Sequence, residues 1–127
     1  MSKIQRMELI FEEIIKRNPS VNLGALKEKR GSKFLFPIYL NKSINETDLE
    51  MLNLSTRSNN CLRRAGFVTV GDVVSNINGR EDLKRIRNCG NKCVDEIMEQ
   101  LFCYQYGTLS GEKKDRFIKR VLELNQI

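Results

Sequence analysis

Leu83-Lys-Arg-Ile86-Arg-Asn-Cys-Gly90-Asn-Lys92-Cys-Val-Asp-Glu96-Ile97 is the stretch on which the reading of this protein turns. The spacing predicts one helix running to about Arg87, a tight turn through Gly90, and a second helix starting there. The first amides of a helix have no intrahelical acceptor, and they sit at the positive end of its dipole. Amides around Gly90, Asn91 and Lys92 are therefore placed to hold a phosphate oxygen, with Lys92 adding a mobile positive charge. The plain alternative is that Gly90 only permits a tight turn between two packed helices. Glu96 follows Lys92 by four. A surface ion pair contributing ~0.3 kcal/mol is its larger expected role, the other being to steady the lysine or accept a bond near a ligand.

Working outward, the helix from Gly90 carries Val94, Ile97, Met98, Leu101 and Phe102 on one face, a core-facing stripe. Upstream, Asn78-Gly79 caps the helix that runs to about Arg87, with Glu81 and Asp82 in its first turn. Thr69-Val-Gly-Asp72 is a box-like start for a short helix ending near Ser75. A helix from about Thr56 to Ala65 should stop at Gly66, and Thr47-Asp-Leu-Glu50 should open a helical turn through Leu52. At the ends, Ile4, Met7, Ile10, Phe11, Ile14 and Ile15 form one apolar stripe, and Phe117, Ile118, Val121 and Leu122 form another after Ser110-Gly111. Asn18-Pro19 terminates the first helix. Gly24 to Ser43 is basic and broken by Gly31 and Pro37; within it, Lys33 to Leu40 alternates Phe34, Phe36, Ile38 and Leu40 as a short extended piece. It reads either as an arm packed on a core or as a linker.

The expected fold is all-α: a compact bundle of short helices with a helix-hairpin-helix-like element, flanked by N- and C-terminal amphipathic helices. The expected division is 1–45 (helix and basic arm), 46–106 (helical module) and 107–127 (C-terminal helix).

The second polar cluster is Arg57-Ser-Asn-Asn60-Cys61. Arg57, Asn60 and Cys61 are spaced by three and four and share a helix face. A guanidinium answers the negative potential of a narrow A·T minor groove, and an amide can meet base-edge acceptors or phosphate. The alternative is a solvated polar face opposite Leu62 and Ala65.

Charge is uneven along the 127 residues, whose net is +6. Residues 1–45 hold nine Lys/Arg and four Asp/Glu, whereas residues 55–104 hold eight and six. A middle so mildly basic suits a phosphate-binding surface or a protein-interaction module. The four cysteines (Cys61, Cys89, Cys93, Cys103) include no Cys-x-x-Cys pair, and histidine is absent, so reduced thiols are expected in place of a metal site or a disulfide. No cofactor is expected. With no histidine, no paired carboxylates and no nucleotide-binding glycine loop, an enzyme is not expected. Apolar runs fall far short of the roughly 18 residues that span a bilayer, and Met1-Ser2-Lys3 is followed by mixed charge, so a cytoplasmic protein without membrane contact is expected.

Taken together, Leu54-Ser-Thr-Arg57-Ser-Asn-Asn60-Cys61-Leu62, Val70-Gly-Asp72-Val73 and Asn88-Cys-Gly90-Asn-Lys92 resemble the C-terminal domain of the bacterial RNA polymerase alpha subunit, over roughly residues 46–106. The resemblance implies binding to the minor groove of A·T-rich double-stranded DNA, with contacts to RNA polymerase, sigma factor and transcription activators. Carried over by position, the DNA-facing residues would be Arg57, Asn60, Cys61, Gly90, Lys92, Cys93 and Glu96. Cys93 stands where the family commonly has serine and Asn91 where it often has lysine, which should weaken phosphate contact. Residues 1–45 and 107–127 resemble neither the linker nor the large N-terminal domain of an alpha subunit. The Met1 start favours a stand-alone relative over a divergent fragment. The alternative function is a protein-interaction module with little DNA affinity, whose terminal helices pair with each other, dimerise or dock on polymerase or sigma; the oligomeric state is left open.

Overall fold

Several helix starts in this protein are set by a short side chain at the first position, and the computed structural model shows them at work over the residues it describes (3–30, 34–39 and 41–127). Eight helices occur among these: α1 (Lys3–Arg17), α2 (Leu23–Glu28), α3 (Lys42–Glu46), α4 (Thr56–Arg64), α5 (Val70–Asn76), α6 (Arg80–Lys84), α7 (Asn91–Gly107) and α8 (Gly111–Leu124). A 3-10 turn spans Leu49–Leu52, and Asp48 and Thr69 form an isolated antiparallel bridge. The described residues contain no strand, so the all-helical expectation holds.

Two units make up the protein, Ile38–Leu101 and Met1–Pro37 with Phe102–Ile127. In the first unit, Ser55 caps α4, its Oγ accepting from the Ser58 amide at 3.3 Å. The other end of α4 closes at Gly66, whose φ of 93° lets Phe67 N–H reach back to the Leu62 carbonyl at 3.0 Å. Thr69 and Asp72 form the expected capping box on α5. At Thr47 the expectation is corrected. Its hydroxyl donates backward to the Ser43 carbonyl at 2.7 Å, and Asp48 is the residue that caps the 3-10 turn. Also corrected is the end of α6, which stops at Lys84 because Ile86 N–H and Cys89 N–H bond to the Leu83 and Ile86 carbonyls, i to i−3, tightening the backbone out of α geometry. Ile44, Leu49, Leu52, Leu62, Val70, Val73, Leu83, Val94 and Ile97 are fully buried in this unit. Each such side chain contributes roughly 1.5–3 kcal/mol of burial.

In the second unit, α1 and α8 pair with each other: Arg17 bonds Asp115 at 2.9 Å and Lys114 reaches Glu13 at 3.1 Å. Phe34 and Phe36 turn inward and Leu35 outward, as the alternation anticipates. Phe34 and Phe36 meet the ring of Phe102 edge-on at 4.9 and 5.4 Å. Residues 34–39 nonetheless pair with no strand. Buried Asn125 holds Leu35 on both sides, accepting from its N–H at 2.9 Å and donating to its carbonyl at 2.7 Å. Gln105 donates to the Pro37 carbonyl at 2.8 Å. Gly31, Lys33 and Leu40 lie outside the described residues.

Candidate nucleic-acid interface

The start of α7 is marked by a glycine that the local backbone does not require. Gly90 is not in the left-handed region; Asn88, at φ 66°, makes that turn instead. A Cβ on Gly90 would meet nothing within 4 Å. The bare backbone therefore leaves space outside the protein, in front of the first amides of α7. Val94 N–H is the first to bond back, to the Gly90 carbonyl at 3.0 Å, which leaves Asn91, Lys92 and Cys93 as the amides of the open first turn. Gly90 and the side chains of Asn91 and Lys92 are exposed, and Lys92 forms no ion pair among the described residues.

α4 lies alongside. Glu96, one turn further along α7 from Lys92, accepts from Ser55 N–H at 3.1 Å and from Ser55 Oγ at 2.8 Å. The ion pair expected between Lys92 and Glu96 is absent, because this carboxylate is turned to the cap of α4. Cys61 Sγ donates to the Arg87 carbonyl at 3.4 Å, which ties the middle of α4 to the hairpin turn. Between the two elements runs an open groove of about 550 Å³ lined by Thr56, Arg57, Asn60, Cys61, Arg64 and Asn88. Arg57 and Asn60 are exposed along it, on the same side of α4 as the hairpin turn.

The cysteines play a different part. Cys61 and Cys93 are 4% and 5% exposed, so their thiols are not presented at the surface. Burial, followed by the neighbouring Cys61 and Cys93, pushes the Cys89 thiol up to about 12. All four cysteines are buried and unbridged, and the described residues include no group of three or more metal-ligating side chains arranged around one point. Three groove residues, Thr56, Arg64 and Asn88, are not among the DNA-facing positions expected from the sequence. The signal for Arg64 was available, since it lies seven residues after Arg57 and so on the same helix face.

The profile of one protein family, the C-terminal domain of the alpha chain of bacterial RNA polymerase, matches residues 39–102, nearly the span of the Ile38–Leu101 unit. The DNA-directed RNA polymerase subunit alpha of Cutibacterium acnes is 51% identical over 55 residues, covering 43% of this chain and 16% of that protein. Its counterpart in Nitratiruptor sp. is 40% identical over 83 residues, 64% of this chain and 25% of that protein. The Helicobacter pylori subunit is 40% identical over 79 residues, 60% and 22%. The chain thus spans a quarter or less of the length of these relatives. No solved structure matches it. With half of its residues matched by the profile, the chain belongs to the family of the C-terminal domain of the bacterial RNA polymerase alpha subunit.

Proposed function

We propose that the Ile38–Leu101 unit is a non-enzymatic DNA-binding module of the transcription machinery, acting on duplex DNA in the cytoplasm. Arg57 enters an A·T-rich minor groove, Asn60 bonds beside it, and the amides of Asn91, Lys92 and Cys93 hold a backbone phosphate with help from the Lys92 ammonium. One observation carries this reading: exposed Arg57, without an ion pair among the described residues, lines a groove together with Asn88 of the hairpin. The bare Gly90 supports it, since its missing side chain answers no need inside the protein. Cys61 and Glu96 serve by holding α4 against the hairpin and α7. The test is a titration of the full chain with A·T-rich and G·C-rich duplexes across a salt series. Arg57→Ala should remove the A·T preference, and Lys92→Ala should weaken both duplexes and reduce the salt slope by about 0.9. Binding indifferent to Arg57→Ala contradicts the assignment.

A second role, docking on RNA polymerase, sigma factor or an activator, is favoured by Met51 and Val68, which are 58% and 53% exposed. Leu49 N–H bonds the Val68 carbonyl at 3.1 Å, which brings the turn bearing Met51 beside Val68. Met51→Ser with Val68→Ser should reduce co-purification with polymerase and leave DNA binding intact.

A further inference from the structure

The basic residues of the Ile38–Leu101 unit fall into two groups. Arg63 is paired with Asp48 at 3.1 Å, Arg80 with Asp95, Lys84 with Glu81 at 3.3 Å and Arg85 with Asp82 at 3.6 Å. Lys42, Arg57, Arg64, Arg87 and Lys92 have no ion pair among the described residues. Four of these five belong to α4 or to the hairpin and the start of α7. The division runs between neighbours: Arg63 is neutralised and Arg64 is not, Arg85 is neutralised and Arg87 is not. None of the four neutralised cations lines the groove, and both arginines that line it, Arg57 and Arg64, have no carboxylate partner among the described residues.

The groove also continues past Arg57. A second depression of about 310 Å³, lined by Cys61, Arg64, Ala65, Ile86, Arg87 and Asn88, shares Cys61, Arg64 and Asn88 with the first. The two form one trough along α4, with Arg57 toward one end, Arg64 at the junction and Arg87 on the opposite wall. Arg57 and Arg64 are seven residues apart, a rise of roughly 10 Å, which matches the axial rise of about three nucleotides on one strand.

We infer that Arg64 and Arg87 form a second phosphate-binding step, so that the DNA backbone runs the length of the trough and is held both at the α7 amides and at this arginine pair. The inference rests on the DNA-binding reading above. Two exposed arginines from different elements lining one open trough fit a polyanion strand, whose phosphates they engage with no need of base identity. Arg57 would then set the A·T preference, and Arg64 with Arg87, like the α7 start, would add affinity for any duplex.

The experiment compares the full chain with Arg64→Ala/Arg87→Ala, with the conservative Arg64→Lys/Arg87→Lys, and with Arg63→Ala/Arg85→Ala as the ion-paired control. Binding to A·T-rich and G·C-rich duplexes is measured from low to moderate salt. The alanine pair should lower the salt slope by about 1.8, two phosphate contacts at ~0.9 each, and should weaken both duplexes by the same factor. The lysine pair should keep most of the slope, and the control pair should leave it unchanged. An unaltered slope in the alanine pair, with Arg57→Ala still abolishing A·T preference, overturns the arginine step and leaves the DNA reading standing. Absence of DNA binding by the unaltered protein overturns both.

Discussion

Glu96 holds Ser55 twice, its Oε1 accepting from the backbone N–H at 3.1 Å and from the hydroxyl at 2.8 Å, across 41 residues of sequence. The same hydroxyl caps α4, so one carboxylate fixes where α4 begins relative to α7. Bonds to an ionised acceptor are about twice as strong as neutral ones. Ser55→Ala and Glu96→Ala should each cost about 1–2 kcal/mol, with a coupling near 1 kcal/mol in a double-mutant cycle read by urea unfolding. Independent, additive losses would contradict the link. Glu96→Ala should also weaken DNA binding through displacement of Arg57, although the carboxylate itself repels phosphate.

Gly71 is a packing residue. A Cβ there would lie 2.5 Å from Asn45 Cα and 2.7 Å from its carbonyl oxygen, and backbone cannot swing away as a side chain does. Gly71→Ala should therefore separate α3 from α5 and destabilise by about 2 kcal/mol or more, despite alanine's better helix propensity. Thermal unfolding checks it; a rise in Tm would show that the α3–α5 approach is looser than these distances imply.

Asn125 bears on the segment that pairs with no strand. Asn125→Ala strands the Leu35 N–H and carbonyl at once, a loss of about 2–3 kcal/mol. Hydrogen exchange at Leu35 should accelerate in the variant beyond what its global stability loss accounts for. Unchanged local protection would mean that the aromatic contacts of Phe34 and Phe36 hold the segment unaided.

Asp72 accepts from Val68 N–H and Thr69 N–H at 2.8 and 3.0 Å, and these bonds hold its carboxyl below the usual aspartate value. A folded-state pKa below the unfolded one means that the capping box stabilises fully above the ordinary aspartate pKa of about 3.9. The contribution is lost as pH falls through the depressed value. Asp72→Asn should be less stable than the parent near neutrality, and the two should converge in strong acid. A constant difference across that range would assign the effect to something other than ionisation.

The buried thiols should be slow to react. With Cys89 pushed up to about 12 and all four cysteines buried, alkylation by iodoacetamide at pH 8 should be on the order of 100-fold slower in the folded protein than in urea. Rapid labelling of Cys61, Cys89 or Cys93 in the folded state would reveal an opening at the hairpin.

What was legible in the sequence was what neighbouring residues settle among themselves. Thr69 and Asp72 are three apart, and Gly66 directly follows the last turn of α4, so their caps could be read from local spacing. Partners distant in sequence could not. Nothing around Leu35 announces that Asn125, 90 residues later, supplies the bonds a strand would have given. Nothing near Lys92 announces that Glu96 turns to Ser55. Arg57 and the Gly90 turn could be singled out as candidates because each carries its own chemical signature. Arg64 shares the helix face of Arg57, but only the structure shows that its neighbour Arg63 is ion-paired and that Arg64 has no ion pair among the described residues. The burial of Cys61 and Cys93 was hidden likewise, since a small residue beside polar neighbours gives little cue to which way it faces.

The central claim is that DNA lies along the face shared by α4 and the start of α7. The most direct measurement is a titration of the isotope-labelled 127-residue chain with a short A·T-rich duplex, following backbone and arginine side-chain NMR resonances residue by residue. The account predicts saturable shifts at Arg57, Asn60, Arg64 and Gly90 through Cys93, shrinking together as salt is raised. Shifts confined to the surface around Met51 and Val68, with that face silent, would contradict it.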